Sequence, residues 1–362
     1  MVFSGNSTFP ASHSASICEL PNGDLLTAWF AGSRESAADS VILGSRLKLS
    51  SDNWEAPKIL VNVHQHAAGN PRLFLGPDNG LWLIAPINYG KWCDGGTRLF
   101  LKRSYDFGQS WTDLEIFTTR RRILGKNKPI RIQSNIWIIP VEYEGLGDVA
   151  FMRSTNQGRT WRVIDCKGEG VYLDQPTIIE LKSGKLLSYM RSWEGFIFKS
   201  YSEDKGRTWT KPEQTELYNP NSGIDMVCLD DGRLLLAYNP VALGPEGNMT
   251  YKDIQGERSS IRKSQKVLEE AGAYELDRMI DRKEASITLH QGGFLAWGPR
   301  TPLCIGVSND EGESWCNAIV LEDSPGEYSY PALIKGINDQ LHIVYTFLRK
   351  GIKYGRIDIS EI

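Results

Sequence analysis

The sequence predicts an all-β fold, a six-bladed β-propeller, on three observations. A phrase of the form Ser-x-Asp/Asn-x-Gly-x-Ser/Thr-Trp occurs four times: "SYDFGQSW" from Ser104, "STNQGRTW" from Ser154, "SEDKGRTW" from Ser202 and "SNDEGESW" from Ser308. A polar turn followed by an alternating apolar strand occurs six times, with turns near Gly23, Gly80, Ser134, Gly184, Gly232 and Asn338. Finally, 11 Trp and 35 Gly among 362 residues suit short strands and tight turns better than helices.

The turns recur about every 50 residues, with one double-length gap, which is a blade-sized period. The blades are expected at about 13–62, 66–119, 122–168, 171–217, 222–321 and 327–362, the last closed by the N-terminal strand. Each opens on the polar turn, as in "PNGDLLTAWF" (21–30) or "DDGRLLLAYN" (230–239), where period-two alternation buries one face of a strand. The Trp phrase follows as a hairpin clasp. Its Asp or Asn accepts backbone N–H bonds across the turn, its Gly supplies positive φ, and its Trp buries a large ring between blades. A shortened copy, "SSDNW", ends at Trp54. The long gap in blade 5 holds an insertion at 243–290. Its segment Ser259–Glu284 has helical composition and a partial apolar stripe through Ile261, Leu268, Ala271 and Leu276. One or two helices are expected there, packed on the rim, acting as a lid, or making a homo-oligomer contact.

Charge and cysteine usage narrow the function. A net charge of −3 argues against nucleic acid as the main partner. No apolar run approaches the roughly 20 residues of a membrane helix. The six cysteines are far apart without a C-x-x-C, which argues against a zinc site or a disulfide framework. His64 and His66 share a strand face without further evident ligands, so neither metal nor cofactor is expected. The N-terminus shows no secretory signal, which fits a cytoplasmic protein or a trimmed secreted or periplasmic one.

The repeated phrase resembles the Asp-box, or bacterial neuraminidase repeat, of the sialidase superfamily, whose fold is a six-bladed propeller. The likeness covers nearly the whole chain and is closest to the exo-sialidase branch carrying a "SHSAS…WFAGSRE…QP…YNP…EYSYPA" set. It implies an exo-acting retaining hydrolase for a terminal acidic sugar. Such an enzyme has Arg residues on the substrate carboxylate, an acid for the leaving oxygen, and a Tyr nucleophile.

Carried over position by position, the resemblance implies Tyr328 in "GEYSYPALI" as nucleophile, Asp39 in "AGSRESAADSVIL" as acid/base, and Arg300 and Arg34 as carboxylate-binding residues. Three positions depart from the pattern. His13 stands near the expected first Arg, and Gln175 stands where a Glu should activate the Tyr, with Asp174 adjacent. Arg191 is the nearest substitute for the second Arg. Asn70, Lys126, Lys128, Asn221, Asp225 and Asn239 add amides and charges that can hydrogen-bond sugar hydroxyls. Arg349 and Lys353 add cations near the last strand. Three activities fit these residues: sialidase-type hydrolysis, a uronate-directed glycosidase or lyase using His13 as base or acid, and non-catalytic carbohydrate binding.

Overall fold

The computed structural model describes residues 1–89, 95–242, 248–250, 294–296 and 298–362. It is a six-bladed β-propeller, with each blade an antiparallel meander. Blade 1 runs through Ala11–Glu19, Leu25–Gly32, Val41–Leu47 and Lys58–Val61. In blade 2, Ala67–Ala68 and Arg72–Leu75 both pair with Leu81–Asn88, followed by Thr97–Ser104 and Glu115–Ile116. In blade 3, Ile123–Leu124 and Ile130–Arg131 pair with Trp137–Tyr143, followed by Val149–Ser154 and Arg162–Cys166. Blade 4 holds Leu173–Glu180, Leu186–Ser192, Phe196–Ser202 and Glu213–Tyr218. Blade 5 holds Asp225–Cys228, Leu234–Tyr238, Leu303–Ser308 and Cys316–Glu322. Blade 6 holds Tyr328–Lys335, Gln340–Phe347 and Gly351–Asp358, and the N-terminal segment pairs with its last strand through Phe3 and Ile352.

The six polar turns of the sequence are six equivalent hairpins between the first two strands of each blade. Each shares the same closing backbone bond, from Leu20 to Asp24, Gly76 to Gly80, Ile132 to Ile136, Leu181 to Lys185, Leu229 to Arg233 and Gly336 to Gln340, all at 2.7–3.0 Å. The clasp behaves as its chemistry dictates. In the last copy the Asp310 carboxylate accepts from Ser308 Oγ (2.7 Å), Ser314 N (2.9 Å) and Ser314 Oγ (2.5 Å), while Gly312 sits at φ 90°. The clasp Trp then crosses to the preceding blade. Trp209 stacks on Phe151 at 3.8 Å, and Trp315 donates to the Tyr189 hydroxyl at 3.0 Å. A stacked pair of this kind adds about 0.5–1.5 kcal/mol beyond its buried area. Trp54 of the shortened copy does the same across the ring closure, against Tyr354 of blade 6 (5.3 Å).

The expected helices of the blade 5 insertion lie outside the described residues. At the insertion's base, Asn248–Thr250 and Phe294–Ala296 form a short antiparallel pair, so the part of 243–290 that is described is strand and not helix.

The channel end of the blades is tied together by polar contacts. Asp225, on the inner strand of blade 5, accepts from Lys128 Nζ of blade 3 (2.7 Å), Thr177 Oγ1 of blade 4 (2.8 Å) and Leu333 N of blade 6 (2.8 Å). Lys126 donates to the Pro331 carbonyl, and Asn127 donates to the carbonyls of Gln175 and Pro176 (both 3.0 Å). One buried carboxylate thus gathers three other blades, which fixes the mutual position of the inner strands.

Those inner strands are bulged. Pairing breaks between His13 and Ser16, Asp174 and Thr177, and Ser329 and Ala332. Each break contains a non-glycine residue in the left-handed region: Ser14 (φ 54°), Gln175 (φ 46°) and Tyr330 (φ 53°). A bulge re-aims the side chain it carries. In blades 4 and 6 the bulged residues Gln175 and Tyr330 line the mouth of the channel.

Candidate active site

A cavity of about 620 Å³ opens at that mouth. Its wall includes Asn70, Gln175 and Tyr330, each of which immediately precedes a proline (Pro71, Pro176, Pro331) and each of which has positive φ (29°, 46° and 53°). Proline cannot donate to a ladder, so it sits where the inner edge is free of pairing. The X-Pro register therefore marks the same wall position on blades 2, 4 and 6.

Tyr330 is the centre of the site. Arg191 Nη1 donates to its hydroxyl oxygen at 2.7 Å, and Gln175 Nε2 donates to the same oxygen at 3.4 Å. The guanidinium groups of Arg191 and Arg300 each lie 5.5 Å from the ring centre. Behind it, the His13 ring packs at 4.1 Å and bonds Thr346 Oγ1 through Nδ1 (2.8 Å). Burial and the nearby charges of Arg349, Arg300, Arg191 and Lys126 hold the His13 pKa well below 6.5, so the ring is neutral. Burial likewise lowers Lys126 to about 7, against the pull of Asp225.

Four arginines line the cavity, from the 33–39 loop of blade 1 (Arg34), blade 4 (Arg191), blade 5 (Arg300) and the last hairpin of blade 6 (Arg349). Glu327 links Arg300 and Arg349, through Arg300 Nη1 (2.9 Å) and Arg349 Nε (2.7 Å), and also accepts from Ser329 Oγ (3.0 Å). Burial alone would raise the Glu327 carboxyl, but the two cations outweigh it and hold its pKa below the ordinary value. The facing wall is acidic, with Glu142, Glu144 and Asp174. Burial, reinforced by the Asp174 charge, raises Glu142 well above the ordinary carboxyl range, and burial also raises Asp174. Arg191 stands between the two walls, 3.7 Å from Asp174.

Several residues singled out in the sequence lie elsewhere. Tyr328 is buried in the core between blades 5 and 6, against Phe347 (5.4 Å), and does not line the cavity. The bulge at Tyr330 breaks the two-residue alternation, so Tyr330 takes the wall position in its place. Asp39 is exposed and turned back on Ser33, accepting from its N–H (3.2 Å) and hydroxyl (2.9 Å), away from the cavity wall. His13 lies behind Tyr330 and not on the wall. Lys128 and Asp225 are spent on each other in the channel. Asn239 donates to the carbonyls of Pro302 (2.8 Å) and Tyr328 (3.0 Å) and is likewise part of the frame. Gln175, Arg34, Arg191, Arg300 and Asn70 do line the cavity.

Comparison with known proteins places the chain among propellers of one kind. The model of the BNR repeat-like domain matches residues 23–343. The anhydrosialidase of Macrobdella decora is 25% identical over 143 residues, which is 36% of this chain and 18% of that protein. This chain therefore matches less than a fifth of the curated relative's length. Among solved structures, the Hadza microbial sialidase Hz136 superposes with a TM-score of 0.72 at 16% identity, covering 100% of this chain and 68% of that one. The intramolecular trans-sialidase from Ruminococcus gnavus, solved with oseltamivir carboxylate, gives 0.65 at 14% identity, covering 99% and 98%. At these identities the structural likeness is one of fold.

Proposed function

The chain belongs to the BNR repeat-like family, and we propose that it is a sialidase-type glycoside hydrolase that releases a terminal carboxylate-bearing sugar. The observation that carries this reading is the convergence of Arg191, Arg300 and Arg349 on one cavity with Tyr330, whose hydroxyl Arg191 bonds. Planar guanidinium forks suit a carboxylate. A phenol beside that carboxylate can attack the anomeric carbon without the repulsion an anionic nucleophile would meet.

Tyr330 is the nucleophile of this mechanism. Gln175 replaces the carboxylate that would take its proton, and the phenol oxygen instead accepts two N–H donors. The phenol proton passes to water in the open cavity, and the Arg191 guanidinium, which accepts no proton, stabilises the charge left on the oxygen. Attack forms a glycosyl–tyrosine bond and breaks the bond to the leaving oxygen, which needs a proton. Glu142 supplies it, because burial and the Asp174 charge raise its carboxyl well above the ordinary range. Water then attacks the anomeric carbon, with Glu142 accepting its proton; the bond to Tyr330 breaks, the tyrosinate held by Arg191 regains its proton from water, and the sugar leaves with retained configuration.

His13 is enclosed behind Tyr330 and does not line the cavity, which disfavours the uronate lyase reading that needs it as base or acid. Turnover of a panel of acidic aryl glycosides by wild type, Tyr330→Phe and Tyr328→Phe tests the proposal. Loss in the first variant alone is expected. Full activity in Tyr330→Phe would exclude the mechanism.

A further inference from the structure

Arg349 reaches the cavity from a costly backbone. It and Leu348 are consecutive non-glycine residues in the left-handed region (φ 56° and 54°), a geometry that hairpins usually assign to Asn or Gly. The turn is pinned on both sides. Leu348 N donates to the Glu327 carbonyl (2.8 Å), and the Arg349 carbonyl accepts from Ser12 N on the inner strand of blade 1 (2.9 Å). A strained, pinned turn that delivers a guanidinium to a cavity indicates that the guanidinium is wanted there.

Its nitrogen atoms are divided between two carboxylates. Glu327 takes Nε from below, where it is also held by Arg300 and Ser329. Glu35 takes Nη1, and of the two carboxylates its side chain is the more exposed. Glu35 belongs to the exposed 33–39 loop of blade 1, lines the same cavity, and has a side chain 45% exposed. The other bonds this loop makes run mostly within itself, from Ser33 to Asp39, Ala37 to Arg34, and Ser40 to Arg34 and Ala37.

We infer that Glu35 is an internal stand-in for the substrate's carboxylate, occupying Arg349 in the empty site and yielding it to an arriving acidic sugar. The inference rests on the proposed acidic-sugar specificity and adds a specificity-determining residue to it. Magnitudes favour displacement of Glu35 and not of Glu327. A half-exposed pair contributes little to stability, whereas the deeper Glu327 holds two cations at once. Glu35 thereby sets a threshold: a ligand must carry a carboxylate able to compete with it, and a neutral sugar leaves Arg349 capped.

The test is calorimetric titration of wild type, Glu35→Gln, Arg349→Met and the double variant with N-acetylneuraminic acid, glucuronic acid and their methyl esters. Circular dichroism establishes that each variant is folded, and Glu35→Ala serves as a second probe of the loop. Glu35→Gln is expected to bind the free acid about two- to fivefold more tightly, the range a half-exposed ion pair can supply. Arg349→Met is expected to bind more weakly, and adding Glu35→Gln to it should change nothing. The methyl esters should show no gain. Binding by wild type with equal or weaker binding by Glu35→Gln and Glu35→Ala would overturn the inference and leave the acidic-sugar reading intact. Absence of binding in wild type and variants alike would overturn that reading, and the inference with it.

Discussion

The Arg191 guanidinium donates to the Tyr330 hydroxyl across 2.7 Å, joining the second strand of blade 4 to the innermost strand of blade 6. Those residues are far apart in sequence, and the channel contacts of Asp225, Lys126 and Asn127 bring their blades together. Arg191 is buried, yet its interactions with the Tyr330 oxygen and the Asp174 carboxylate more than offset desolvation and raise its pKa. The same cation therefore holds the acidic wall and faces the phenol oxygen.

Arg300 acts through the shape of its fork as well as through charge. Arg300→Lys keeps the charge but loses the planar pair of donors, so KM for an acidic aryl glycoside should rise about tenfold to a hundredfold. The kcat should fall much less. Steady-state kinetics at fixed ionic strength measures both.

The proton donor is separable from the residue suggested by family pattern. Glu142→Gln should lower kcat by about 10²–10⁴-fold and remove the alkaline limb of the pH–rate profile. Asp39→Asn should leave the shape of that profile unchanged, because the Asp39 carboxylate bonds Ser33 and lies off the cavity wall. If Asp39→Asn abolishes the limb, the acid assignment moves to the 33–39 loop.

Asp225 has a structural role that stability measurements can isolate. Asp225→Ala leaves Lys128 and Thr177 without their shared acceptor in a closed channel, and should cost about 3–5 kcal/mol of unfolding free energy. Residual folded enzyme should show a nearly normal KM. Chemical denaturation paired with kinetics checks the two parts.

Acid should destabilise the propeller in two stages. Burial, helped by the Arg356 charge, lowers His342 from 6.5 to about 4. A folded-state pKa below the unfolded one makes this contribution complete above pH 6.5, and it is lost as pH falls from 6.5 toward 4. The Ser314 hydroxyl and N–H hold the Asp310 carboxyl at about 2, down from 3.8. Its contribution is complete above 3.8 and is lost between 3.8 and 2. Tm measured against pH should fall in the first window for wild type and fall less steeply there for His342→Gln, in which the buried His13 still contributes.

The fold was legible because it is written six times. Repeated turns and clasps reinforce one another, so an irregular copy such as "SSDNW" could still be assigned, and Trp54 indeed packs across blades as the full clasps do. The site was legible only in part, because it is built from exceptions to the repeat. Tyr328 and Tyr330 are two residues apart, and regular strand alternation treats them alike. The bulge that buries one and turns the other to the cavity is a long-range consequence of inner-strand packing. A signal for it was present in the X-Pro steps Asn70-Pro71, Gln175-Pro176 and Tyr330-Pro331, which align Tyr330 with Gln175. Arg349 was visible as a cation, but the left-handed turn that aims it has no Gly or Asn to announce it. Glu35 and Glu327 matter only through the partners that the ring closure brings to them.

The most direct measurement concerns which oxygen becomes bonded to sugar. Incubation with a fluorinated acidic-sugar inactivator should trap a glycosyl-enzyme, and fragmentation of the peptide spanning 327–335 by mass spectrometry distinguishes its two tyrosines. The account predicts the adduct on Tyr330. An adduct on Tyr328, or hydrolysis that proceeds undiminished in Tyr330→Phe, would contradict it.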